Sequence, residues 1–277
     1  MFRTWTLHLC VFLLCLAPAS PVQAAAPLPE AYVALSTRPG VSLPMAVLTP
    51  EQPRAVVILL SGGNGRLNIV DEAGQAAVRI GGNFLVRSRQ LFAAQGLAVL
   101  VLDAPSDHAW GMDPRFRFSP EHVEDVRLAA AYARERWGLK PWLVGTSMGS
   151  ISAAWAASCL LPGELGGVVL TSSVTRSGKR ADYPMNRLRA VLDADLGKTA
   201  LPALVVRHGA DACAVSAPQD GPKILDALAA SPRKALLTFE GGLPAQSGEC
   251  EARSAHGYLG IEEQVVAGIA AFILDVK

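Results

Sequence analysis

Residues 142–157 read WLVGTSMGSISAAWAA. The run Trp142–Gly145 is apolar enough for a buried strand. The stretch from Met148 onward, rich in small residues such as Ala153, Ala154, Ala156 and Ala157, predicts a helix over 148–161. Between them Gly145-Thr146-Ser147-Met148-Gly149 fits G-x-S-x-G, with a strand before it and a helix after it. A turn this sharp strains the backbone at the serine. Side chains two residues to either side would collide there, so glycines at both places leave the Ser147 hydroxyl projecting above the sheet. The Met148 N–H opens the helix without an intrahelical acceptor, and the helix dipole suits it to an anion.

Outward from this turn, short apolar runs alternate with longer helical patterns, which predicts an α/β fold built on a parallel sheet covered on both faces. The strands are expected at 55–60, 97–103, 142–145, 167–172, 203–209 and 235–241. Helices are expected at 84–96, 119–138, 148–161, 221–230 and 261–275. Ser119 is the N-cap of the second helix and Gly138 its stop. Residues 31–50 predict an antiparallel hairpin at the sheet edge.

The chain has 277 residues, 51% of them hydrophobic and 18% charged, enough apolar content for a sizeable core and too little charge for disorder. Arg3, the apolar run LHLCVFLLCLA and the small residues Val22 and Ala24 predict a secretory signal over residues 1–24, with a single domain over 25–277. The apolar run is short of the ~20 residues of a spanning helix, so no membrane anchor is expected. Removing the signal takes away Arg3 and no acidic residue, and the formal charge falls from +1 to zero. A neutral chain has no electrostatic handle for nucleic acid. Three cysteines remain, Cys159, Cys213 and Cys250, and an oxidising compartment favours one pair and one odd thiol. Export to the periplasm or the medium is expected. No His, Cys or Asp cluster has zinc spacing, and neither a metal nor another cofactor is expected.

With its strand–turn–helix context, and with the segments NFLVRSR, DAPSD, LVGTSMGS and AHGY, the chain resembles the α/β-hydrolase superfamily over residues 55 to the end. The resemblance implies a mostly parallel central sheet with helices on both faces and a nucleophile followed in chain order by an acid and a histidine. On that pattern Ser147 is the nucleophile. Asp211, just beyond the strand ALVVRH, is the acid, and His256, ahead of the last helix, is the base. His208 precedes the acid and is expected to be structural. Asp103 and Asp107 precede the nucleophile and fit the order poorly, and His108 and His122 are left out.

The resemblance also implies a second oxyanion donor after the strand AVVILL, beside Met148. Relatives often carry His-Gly there, whereas this chain has Ser61-Gly62. Gly63 is the first choice of donor and Asn64 the second. The loop SGGNGR fits neither G-x-G-x-x-G nor a Walker A run. Cys213 lies two residues after the implied acid and Cys250 six before the implied base, so a Cys213–Cys250 disulfide is expected, with Cys159 a core thiol. Residues 173–202 form a short cap insert which, with residues 105–118, is expected to wall an open cleft. Asn64, Trp110, Met112 and Tyr183 are the candidate substrate contacts. Arg176, Lys179 and Arg180 are a possible attraction for an acidic substrate. The implied activity is hydrolysis of a small-molecule carboxylic ester through an acyl-serine. Thioester, lactone or amide cleavage, acyl transfer, or a silent hydrolase-like binding protein are the alternatives.

Overall fold

The computed structural model describes residues 26–176 and 190–275. The expected signal segment, Tyr183, Lys179 and Arg180 lie outside the described residues. The elements run β1 (Glu30–Arg38), β2 (Val41–Leu48), β3 (Ala55–Leu60), β4 (Ile69–Glu72), β5 (Gln75–Val78), α1 (Phe84–Arg87), α2 (Arg89–Ala94), β6 (Leu97–Leu102), α3 (Pro114–Arg117) and α4 (Pro120–Trp137). They continue with β7 (Pro141–Thr146), α5 (Met148–Cys159), β8 (Gly167–Thr171), β9 (Ala203–His208), α6 (Gly221–Ala227), β10 (Lys234–Phe239) and α7 (Glu262–Leu274).

One ten-stranded sheet has the order β10-β9-β8-β7-β3-β6-β2-β1-β5-β4. The strands from β10 to β6 are parallel, and β2, β1, β5 and β4 extend the sheet antiparallel. From β3 the chain moves to β6 on one side and later to β7 on the other. Such a reversal opens a crevice at the carboxyl ends of the strands, and the Ser147 turn leaves β7 at that crevice.

Alternate residues of β3 face opposite layers. Val56, Ile58 and Leu60 join the apolar cluster that includes Val126, Ala130, Ile151 and Ala154 of α4 and α5. Val57 and Leu59 join the one that includes Phe84, Phe92, Val265 and Ile269 of α1, α2 and α7. The helix expected over 84–96 is broken at Ser88 into α1 and α2. Phe84, Leu85 and Val86 are consecutive and all buried, as are Phe92 and Ala93. One straight helix has a single apolar stripe and does not bury both sets. The β4–β5 hairpin, turning at Ala73 and Gly74 with φ of 55° and 84°, was not expected from the sequence.

Asp220 ties the loop after β8 to the start of α6. Its carboxylate accepts from Thr175 Oγ1 (2.8 Å) and Arg176 Nε (2.7 Å) and pairs with Lys223 Nζ (2.7 Å). Arg176 is therefore spoken for by a buried carboxylate. The Arg176 hydrogen bond, followed by those of Lys223 and Thr175, holds the Asp220 carboxyl well below the usual carboxylate range against the opposing effect of burial. A depressed folded-state pKa gives stability that is present above the unfolded value of about 4 and lost as the pH falls through the folded one. Urea denaturation of the wild type and Asp220→Asn should thus show a stability gap at pH 7 that narrows steadily below about pH 4. A gap independent of pH would contradict the assignment.

Candidate functional site

Ser147 occupies the junction of β7 and α5 at φ 50°, ψ −125°. Holding a non-glycine residue at positive φ costs of order 1–3 kcal/mol, and neighbouring backbone over-determines it. Ser147 N–H donates to Thr171 O (3.1 Å) on β8, and Ser147 O accepts from Ser150 N (2.9 Å) and Ser150 Oγ (2.5 Å). The flanking glycines are required by contact. A Cβ on Gly145 would lie 2.3 Å from Gly149 O, and one on Gly149 would lie 2.0 Å from Leu60 O. A Cβ on Gly62 would come 2.9 Å from Ser147 Cβ, so the loop after β3 lies directly against the serine.

Asp211 follows β9 in a turn closed by its own N–H to His208 O (3.1 Å). Its Oδ1 accepts from Cys213 N (2.9 Å), and its Oδ2 lies 2.8 Å from His256 Nδ1. Both side chains are buried, with 7% of Asp211 and 4% of His256 exposed. With Nδ1–H donating to the carboxylate, Nε2 is left as the acceptor, and it has no hydrogen-bond partner among the described residues. Ser147 and His256 line the same cavity, of about 340 Å³, with Gly62, Gly63, Asn64 and Asn83 around them. The arrangement places a hydroxyl and an imidazole on one cavity, with a buried carboxylate steadying the ring; no hydrogen bond joins Ser147 Oγ to His256 Nε2.

The histidine loop is fixed by residues that sequence reasoning did not single out. Ser172 Oγ donates to His256 O (2.8 Å), and Ser172 N to Tyr258 Oη (3.2 Å). Tyr258, at φ 58° and fully buried, donates from its hydroxyl to Val206 O (3.1 Å). Burial pushes the phenol pKa well above its ordinary value, so the donor keeps its proton. Arg87 donates to Gly257 O (2.6 Å) and pairs with Glu262. The aromatic residue two places after His256 was the available signal.

The other candidates fall elsewhere. His208 bridges Gly241 O (2.9 Å) and Ala210 N (3.1 Å). His108 stacks on Phe116 at 3.6 Å between ring centres. Burial, then the nearby Arg117 charge, pushes the His122 pKa down to about 3, and it stays neutral. Asp103 accepts from the N–H groups of Leu67, Ile69 and Ala104 and so pins the loop after β3 to β6. Among the described residues no group of three His, Cys, Asp or Glu side chains is placed to hold a metal ion.

The cleft wall differs from expectation. Residues drawn from the 62–67, 80–84 and 250–257 segments line the cavity with Thr146 and Ser147, and the 105–118 segment contributes nothing to its lining. Trp110 is 83% exposed outside it, with Arg66 stacked 5.0 Å from its ring. Met112 is buried with Ala104 and Phe116. Both are held there by the loop after β3, since Asn64 Nδ2 donates to Trp110 O (3.2 Å) and Met112 N to Asn64 O (2.7 Å). Cys159, expected in the core, is exposed because α5 ends there.

Cys213 and Cys250 form a disulfide between residues 37 apart in sequence. It joins the turn carrying Asp211 to the loop leading into His256. The loop-closure relation gives about 4 kcal/mol for a bridge of this span. The Cys213→Ser/Cys250→Ser variant should lose up to that amount in urea denaturation, and reductant should destabilise the wild type but not the variant. Equal stabilities would show that the bridge contributes nothing.

The sequence matches no protein-family model and no curated protein. Solved structures align over most of the chain. The esterase Pf2001 of Pyrococcus furiosus matches with a TM-score of 0.62 and 14% identity over 92% of this chain and 97% of that one. Est1E of Butyrivibrio proteoclasticus matches with a TM-score of 0.60 and 16% identity over 89% and 98%. XC6422 of Xanthomonas campestris, described as an α/β serine hydrolase without a lid, matches with a TM-score of 0.54 and 18% identity over 89% and 98%. With the mostly parallel ten-stranded sheet and the strained turn after β7, these likenesses show that the chain has the α/β-hydrolase fold.

Proposed function

We propose that the protein is an exported serine hydrolase that cleaves small carboxylic esters through an acyl-serine. The observation that carries this is the convergence of Ser147 and His256 on one cavity, with His256 Nδ1 turned to the buried Asp211 carboxylate. The esterase neighbours support it.

An unassisted serine hydroxyl is a weak nucleophile at neutral pH. His256 Nε2 takes the proton as Ser147 Oγ bonds to the carbonyl carbon, and the carbonyl π electrons move onto oxygen. The Met148 N–H and the Gly63 N–H, with Asn64 as the neighbouring alternative, receive that oxyanion. Asp211 stays ionised and stabilises the imidazolium. As the tetrahedral intermediate collapses, the C–O bond to the alcohol breaks and His256 returns the proton to the leaving oxygen. Water then repeats the sequence on the acyl-enzyme and releases the acid. A cavity of about 340 Å³ suits a short acyl or alcohol group. Asn64, Arg66, Asn83 and Glu251 supply polar walls, and Ile80 and Phe84 supply apolar ones.

Purified mature chain should react with a fluorophosphonate probe and hydrolyse p-nitrophenyl acetate. Ser147→Ala should abolish labelling, and Ser147→Ala or His256→Ala should lower kcat by roughly 10⁴-fold or more, with the double variant little worse. Full activity in His256→Ala would remove it as the base. A panel of thioesters, lactones and amides separates the ester assignment from its alternatives.

Export rests on the residue 1–24 pattern together with a disulfide, a bond that persists in oxidising compartments. Protein recovered outside the cytoplasm should begin at Ala25. An intact Met1 terminus there would contradict cleavage.

A further inference from the structure

Arg117 ends α3 and has no exposed surface, which makes it the most voluminous fully buried side chain among the described residues. Its hydrogen bonds go to neutral oxygens. Nη1 donates to Ser152 Oγ (2.8 Å), and Nη2 donates to Gly63 O (3.1 Å) and, at a longer 3.4 Å, to Ser61 O. Burial lowers the guanidinium pKa to about 10, with Asp113 opposing, so the group remains charged at neutral pH. Its buried Nε has no hydrogen-bond partner among the described residues, and a buried cation bonded only to neutral oxygens is costlier than an apolar side chain of the same volume. A group kept at such cost calls for a task beyond filling space.

The loop it holds is Ser61-Gly62-Gly63-Asn64-Gly65. Gly63 and Gly65 have φ of 60° and 76°, and glycine leaves such backbone free to adopt many orientations. Because the peptide unit is planar, fixing a carbonyl also fixes the N–H of the next residue on the opposite side. Arg117 fixes the carbonyls of residues 61 and 63, while Gly62 O accepts from Gly65 N (3.2 Å). All three N–H groups from Gly62 to Asn64 thus have set directions. The loop is also confined from both sides. A Cβ on Gly65 would lie 2.8 Å from Arg117 Nη2, and one on Gly62 would lie 2.9 Å from Ser147 Cβ. Ser152, the partner of Nη1, belongs to the helix that starts after Ser147.

We propose that Arg117 is the positioning residue of the oxyanion site: one buried guanidinium, bonded to Ser152 of α5 and to the carbonyls of Ser61 and Gly63, holds the two peptide units that flank the Gly63 N–H, the second of which carries the Asn64 N–H, and so sets the separation of these loop donors from the Met148 N–H. It touches neither substrate nor Ser147, and it acts through the backbone it holds. The assignment rests on the hydrolase reading above.

The test uses the mature chain with Arg117→Met, Arg117→Lys and Ser152→Ala, each checked for folding by its melting curve. Arg117→Met should lower kcat for p-nitrophenyl acetate about 10²-fold with KM changed less than about threefold, as displacement of an oxyanion donor does. Affinity for a boronic acid, which forms a tetrahedral serine adduct, should fall in parallel. Lysine supplies charge without a two-armed span, so Arg117→Lys should lose at least about tenfold in kcat. Ser152→Ala should show a smaller loss of the same kind. If Arg117→Met does not fold, Arg117→Lys and Ser152→Ala decide. Folded variants with wild-type kcat, or losses confined to KM, would overturn the proposal. A wild type that neither labels with fluorophosphonate nor hydrolyses the ester would instead overturn the hydrolase assignment.

Discussion

Two backbones meet without side chains where α5 begins: Gly149 lies so close to the carbonyls of Leu60 and Ser61 that even a methyl group is excluded. That contact locks the end of β3 to the start of the helix after β7, and the site depends on it. It brings the loop after β3 against Ser147, and Gly145 completes the same close approach from the strand side. The strained Ser147 conformation is tolerated because the hydrogen bonds to Thr171 and from Ser150 leave it no relaxed alternative.

Around this junction the site is assembled from distant loops, each tied down separately. Asp103 pins residues 67 and 69, while Ser172 and Tyr258 secure the histidine loop to the ends of β8 and β9. His208 and the disulfide hold the turn that carries Asp211. Most of these restraints are hydrogen bonds to backbone oxygens or N–H groups. They fix direction as well as distance, which apolar contacts alone do not.

What could be read from the sequence was whatever is encoded locally. The parallel strands are short runs rich in Val, Leu and Ile, the Ser147 turn carries its own glycines, and Ser119 and Gly138 bracket α4 as cap and stop. The Ser88 break was hidden because the pattern over 84–96 satisfies helical periodicity until the burial of both halves is known. The β4–β5 hairpin was hidden because its strands have only four residues each. The cavity wall was misplaced for a tertiary reason: residues 80–84 and 250–257 converge only once the sheet is formed, and Trp110 and Met112 are drawn away by Asn64. Arg117, within Arg-Phe-Arg-Phe, has the composition of an exposed turn, and nothing local distinguishes it from Arg115.

The β4–β5 ribbon has a bearing on solubility. A sheet of ten strands ends in unpaired peptide groups, and a long flat border of that kind would recruit a strand from a neighbouring molecule. Here the terminal strand is four residues long, carries Asp71 and Glu72, and has Glu72 neutralised by Arg79 from beyond the partner strand. An incoming chain would find few groups to pair with and would have to strip water from two carboxylates to reach them. On this side the fold guards itself against intermolecular strand exchange.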